Sequence, residues 1–138
     1  DFLFYEEGVT PAVGRVLEAI DLERMKIGEK LGITIIPDPV MGVRQGYMAE
    51  ENYSTGYSTA PGFKGIRAPE QLNHRYLNED AGYGLVFLSE LGKSIGVETP
   101  NIDAMLTLVS LIAGKDFRKE AIRTLSGIGY DVEQVMNL

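Results

Sequence analysis

Two hydroxyl–proline steps, Thr10-Pro11 and Thr99-Pro100, constrain this chain most. A threonine caps free amides, and a proline at the first helical position needs no amide partner, so each step predicts a helix start. Behind the first, Val13, Val16, Leu17 and Ile20 recur at helical spacing as a core face, Ile27 and Leu31 prolong it, and Gly32 is the stop. Behind the second, Ile102, Met105, Leu106, Val109 and Ile112 form the cleanest apolar stripe, ended by Gly114. Between them, Leu85, Leu88, Leu91 and Ile95 predict a helix closed by Gly96. Asp38 as cap and Pro39 in the first turn open another that runs to Glu51, with Val40, Val43 and Tyr47 on one face. Its Gly42 and Gly46 each lower helix propensity by about 1 kcal/mol, and their spacing suits either a close helix approach or a weak helix. Asp116 caps a fifth helix containing Phe117, Ala121, Ile122 and Leu125 and stopped by Gly127, and Asp131 starts a short terminal one.

The remaining segments offer no competing pattern. Residues 1–8 are an aromatic-rich, short, extended entry, and Ile33-Thr34-Ile35-Ile36 is strand-like in composition but reads as a linker. Residues 52–69 carry no periodicity and read as a surface connection. The fold class is therefore all-α, in a single domain over residues 1–138. An apolar fraction of 44% with 24% charged residues argues against disorder. A net charge of −7 argues against a nucleic-acid partner, and no apolar run is long enough for a membrane span. With no cysteine and one histidine, thiolate catalysis and multi-histidine or cysteine metal sites are excluded, so no metal is expected.

Charged and aromatic residues crowd the stretch Leu72-Asn73-His74-Arg75-Tyr76-Leu77-Asn78-Glu79-Asp80-Ala81-Gly82-Tyr83-Gly84-Leu85. His74 has the ordinary pKa of a general base, yet a lone histidine without a visible partner reads first as a helix-surface or capping residue. Asp80 serves equally as a helix cap, and Arg75 either grips an anion with its planar fork or pairs with Glu79 four residues on. Arg75 and Asp80 stand about 140° apart on a continuous helix, so both face one site only if the backbone breaks between them. Asn78, Gly82 and Gly84 favour such a break. Gly82-Tyr83-Gly84 lacks a third glycine and follows no strand, so it is no dinucleotide fingerprint.

Asn73-His74-Arg75-Tyr76-Leu77, Glu79-Asp80, Tyr83-Gly84-Leu85-Val86 and Ser89-Glu90-Leu91-Gly92-Lys93 resemble the C-terminal helical domain of the opine dehydrogenase family. The resemblance extends to Tyr5–Thr10 with Pro11, Leu17-Glu18-Ala19-Ile20-Asp21 with Glu23-Arg24, Gly96-Val97 with Thr99–Asp103, and Gly114-Lys115-Asp116-Phe117. It implies a multi-helix bundle like the 6-phosphogluconate-dehydrogenase-like C-terminal domain of two-domain dehydrogenases. It implies reductive condensation of an amino acid with an α-keto acid, using NAD or NADP bound mainly by an N-terminal Rossmann domain expected upstream of Asp1. By the same resemblance Asp80 matches the aspartate that pairs with a catalytic histidine, and Arg75 the arginine that reaches the nucleotide pyrophosphate. The family histidine lies in a His-Pro motif just before the equivalent of Asp1, a position different from His74. His74, Tyr76 and Tyr83 are expected near substrate, in a cytoplasmic enzyme that forms a homodimer.

This chain departs from the family's usual Glu-Asp-Val-Pro-Tyr-Gly-Leu-Val-Pro run, with Gly82 and Phe87 where prolines stand. Gly82 predicts a looser backbone beside Asp80. Two other readings compete. One is a non-catalytic helical dimerisation or partner-binding module, supported by the glycine-spaced second helix and an exposed aromatic entry segment. The other is the helical domain of a ketopantoate-reductase-type or glycerol-phosphate-type dehydrogenase, which use a catalytic lysine.

Overall fold

A computed structural model describes residues 1–120 and, beyond them, residues 127, 129, 131, 133, 134 and 137. The chain forms α1 (Pro11–Lys30), α2 (Asp38–Arg44), α3 (Thr55–Ser58), a 3₁₀ turn (Pro61–Phe63), α4 (Arg75–Glu79), a π-helical segment (Asp80–Leu85), α5 (Val86–Ile95), α6 (Pro100–Ala113) and α7 (Phe117–Glu120). Among the described residues the one β feature is an isolated antiparallel bridge between Leu3 and Arg67, so the all-α expectation holds. Among them, too, no helix is long and apolar enough to cross a membrane. Contacts divide the chain into two compact units, residues 1–25 with 34–70 and residues 26–33 with 71–138.

In the first unit, Thr10 Oγ1 accepts from the Val13 amide at 3.3 Å, as a capping threonine should. The predicted core face holds only in part here: Leu17 and Ile20 are half-buried, but Val13 and Val16 are 39% and 44% exposed, while Gly14, Asp21 and Glu23 are buried. The cause is close backbone approach, since a Cβ on Gly14 would lie 2.7 Å from the Tyr53 carbonyl oxygen. α2 is shorter than expected. It stops at Arg44 because Gly46 adopts φ +85°, a left-handed conformation that ends the helix and leaves Tyr47 beyond it. The paired glycines thus serve separate ends: a side chain on Gly42 would collide with the buried Met48, and neither supplies a helix-docking stripe. Asp38 is no cap either, because Pro37 holds that position while the Asp38 amide donates to Asp21 at 2.8 Å. Extended geometry in the entry segment is limited to Leu3. Turns follow, and Tyr5 stacks on Phe63 at 4.1 Å instead of lying bare.

In the second unit, the last turn of α1 packs against α5: Ile27, Leu91 and Ile95 form a buried cluster, with Leu31, Phe87, Leu88 and Val97 around it. α5 and α6 close at Gly96 and Gly114 as their glycines predict. Thr99 occupies the N-cap position of α6, but its side chain makes no cap bond. It is 3% exposed and packs towards Gly92, where a Cβ would lie 3.0 Å from its methyl. α6 buries Ile102, Leu106 and Val109, whereas Ile112 is exposed together with Leu108 and Leu111, because the stripe is apolar on more than one side. Asp116 accepts from the Lys119 amide at 3.2 Å, the expected cap of the fifth predicted helix. Ala121, Ile122 and Leu125 of that helix lie outside the described residues. Asp131 and Gln134 exchange reciprocal cap hydrogen bonds of 2.8 and 2.9 Å, matching the predicted terminal start.

Candidate functional site

The stretch from Asn73 to Leu85 folds as one α-helical turn that widens into a π-helix. His74 is the N-cap of α4, and its Nδ1 accepts from the Tyr76 amide at 3.3 Å. Imidazole capping commits one ring nitrogen to the backbone, which is the plainer of the two expectations for this residue. Its ring also meets Tyr76 edge-on at 4.5 Å. Arg75 lies over the Tyr76 ring at 5.6 Å from the centroid and makes no ion pair with Glu79. Among the described residues its guanidinium fork therefore pairs with no carboxylate.

The backbone break that would bring Arg75 and Asp80 to one face does not occur: both Glu79 and Asp80 keep right-handed helical angles, and at Asp80 α4 widens into the π segment. A π turn is an uncommon distortion, found mostly as a single turn within a helix and often at functional sites. Among the described residues Asp80 makes no hydrogen bond or ion pair through its carboxylate. Although the residue is solvent-exposed, partial burial of its carboxyl pushes the pKa above the usual carboxylate range. Repulsion from Glu79 adds to this, and the Arg75 charge draws it back. The Arg75 charge thus reaches Asp80 along the helix. Tyr83 is half-buried within the same π segment.

Gly82 is not loose. An added Cβ would meet Cδ1 of the Phe117 ring at 3.2 Å, and Phe117 is 3% exposed. Two clefts, of about 450 and 580 Å³, flank α6, and neither is lined by a residue between Asn73 and Leu85. Arg75, Tyr76 and Asp80 are exposed, and His74 and Tyr83 are half-buried.

A second polar constellation, in the first unit, was not legible as such. Asp21, 6% exposed, accepts from Arg24 Nε at 2.7 Å, the Tyr53 hydroxyl at 2.6 Å and the Asp38 amide at 2.8 Å. The Tyr57 hydroxyl donates to Asp38. Burial alone pushes the Asp21 carboxyl up, but the three donors and the Arg24 charge together hold it below the usual range. Tyr53 and Tyr57 are both pushed well above the usual phenol range by burial and then by their carboxylate partners. The network pins residues 53–60, expected to be a surface connection, onto α1 and α2. Every polar group in it is satisfied, which marks it as structural.

Residues 1–113 match the family described as NAD/NADP octopine/nopaline dehydrogenase, alpha-helical domain, and the chain belongs to that family. It is 40% identical to an opine dehydrogenase of Arthrobacter sp. (strain 1C) over 131 residues, 93% of this chain and 35% of that protein. It is 33% identical to the protein ocs of Agrobacterium tumefaciens (strain Ach5) over 113 residues, 82% of this chain and 31% of that one. Among solved structures it shares its fold with an octopine dehydrogenase determined with NADH and L-arginine, at TM-score 0.65 and 18% identity, over 81% of this chain and 32% of the other. The chain spans about a third of the length of the curated relatives it matches.

Proposed function

We propose that this chain is the substrate domain of an opine-type oxidoreductase that condenses an amino acid with an α-keto acid and reduces the product at the new C–N bond. The observation that carries the reading is the Asp80 carboxylate, without a partner among the described residues, at the start of a π turn five residues beyond Arg75. The amine attacks the keto carbon, water leaves, and the resulting imine gains a hydride at carbon and a proton at nitrogen to give a secondary amine. A nicotinamide cofactor supplies the hydride. The residues present fit such a cofactor, because Arg75 is an exposed, planar, permanently charged fork suited to a pyrophosphate.

Asp80 would orient a histidine contributed by the nucleotide-binding domain, fix its tautomer and stabilise its protonated form during proton transfer to and from the substrate. A carboxylate without a partner among the described residues is available for that task. His74, capped onto α4, acts with Tyr76 and Tyr83 as substrate-facing surface. The preceding domain holds most of the cofactor, NAD or NADP, and the whole works in the cytoplasm, where reduced nicotinamides are replenished. A homodimer is supported by the exposed Leu108, Leu111 and Ile112 side of α6.

The test uses the full-length protein carrying this chain, with NADH oxidation followed after mixing amino acids and α-keto acids. Asp80→Asn should lower kcat with little change in KM, and Arg75→Ala should mainly raise the KM for NADH. Wild-type kinetics in both variants would overturn the reading.

A further inference from the structure

Residues 115–118 make three attachments in a span of four. Lys115 Nζ donates to Asn78 Oδ1 of α4 at 3.3 Å. Phe117, buried, lays its ring edge against Gly82 in the π segment. Arg118 donates to Ser89 Oγ at 2.8 Å and Glu90 Oε1 at 3.1 Å on α5, and also to Asp103 on α6. Ser89 is fully buried and itself donates to Asp103 at 2.6 Å, so the anchor of Arg118 is rigid. The phenyl ring is thereby held between two tethers and pressed on the π turn whose first residue is Asp80. Nothing in the mechanism above uses Phe117, Arg118 or Lys115.

We propose that Phe117 is a positioning residue: its ring, clamped by Arg118 and Lys115 against Gly82, fixes the π-helical turn that aims the Asp80 carboxylate. The glycine is part of the device. Any side chain at position 82 meets the ring edge at 3.2 Å, closer than ordinary contact, so either the ring or the turn must shift by a few tenths of an ångström. This explains how the chain dispenses with a stiffening proline beside Asp80: tertiary contact supplies the restraint that ring closure would otherwise provide. The inference rests on the catalytic reading of Asp80 given above.

Gly82→Ala is the sharpest probe, because it neither opens a cavity nor demands a forbidden backbone, and alanine favours helix over glycine. In the full-length enzyme it should lower kcat about tenfold, since displacements well under 1 Å suffice for losses of that order. The KM values and the melting temperature should stay close to wild type. Phe117→Leu, which keeps apolar bulk but loses the flat ring edge, should act in the same direction.

The decisive step repeats Gly82→Ala in an Asp80→Asn background, where the loss should vanish because the group being aimed is already gone. A tenfold loss that persists without Asp80, or wild-type kcat in both Gly82→Ala and Phe117→Leu, overturns the positioning role. A fully active Asp80→Asn enzyme would instead remove the catalytic reading beneath it, and the inference with it.

Discussion

Asp21 and Asp80 are the same residue type put to opposite uses. Asp21, in the first unit, is buried, takes three donors and titrates below the usual range. Asp80, in the second, has no partner among the described residues and titrates above it. A carboxylate whose bonds are all satisfied inside the fold holds structure and has nothing left to offer a ligand. A carboxylate carried at some energetic cost on an uncommon backbone turn is the one to suspect of chemistry.

The contrast can be broken most forcefully by exchanging charge for amide at each position. In the full-length enzyme, Asp80→Asn should reduce kcat by at least about a hundredfold, the lower end of what positioned proton transfer contributes. Asp21→Asn should leave residual chemistry intact in whatever fraction folds, but destabilise the fold by about 3 kcal/mol, as breaking a buried ion pair does. Denaturant unfolding of the isolated chain measures that loss.

Smaller effects sharpen the same distinction. Tyr53→Phe removes one hydroxyl donor from Asp21 and should cost about 2 kcal/mol in the same assay, the range for hydrogen bonds to charged groups. Asp80→Asn should leave stability within about 0.5 kcal/mol of wild type at neutral pH, with any change in the stabilising direction.

The pH dependence follows with opposite signs. Asp21 has a folded pKa below its unfolded 3.8, so it stabilises the fold above that pH and the contribution is lost as pH falls through the folded value. Asp80 has a folded pKa above 3.8, so its ionisation opposes folding at neutral pH and the penalty disappears as pH falls to 3.8 and below. Asp21→Asn should therefore flatten the acid limb of the stability profile, and Asp80→Asn should steepen it slightly.

What the sequence disclosed, and what it hid, divides along the range of the interactions concerned. Helix starts at Pro11 and Pro100 and stops at Gly96 and Gly114 depend on neighbouring residues, and were readable. The break expected between Arg75 and Asp80 is absent; the helix instead widens to a π turn at Asp80, a form that spacing of glycines does not disclose. The folding of residues 53–60 was not readable, because Tyr53 finds its carboxylate 32 residues away and Tyr57 finds its own 19 away. The same holds for Val13, Val16 and Ile112, apolar at helical spacing yet exposed: periodicity shows that a face exists, not what covers it. The approach of Phe117 to Gly82 was not readable for the same reason, since the ring comes from another helix.

One measurement bears directly on the contrast. Carbon-detected NMR of the aspartate carboxyl groups, titrated through the acid range on this chain, reads both residues in one sample. The account predicts Asp21 with a midpoint below 3.8 and Asp80 with a midpoint above it. Asp80 titrating at or below Asp21 would contradict it, because the carboxylate assigned to chemistry would then be as firmly partnered as the one assigned to structure.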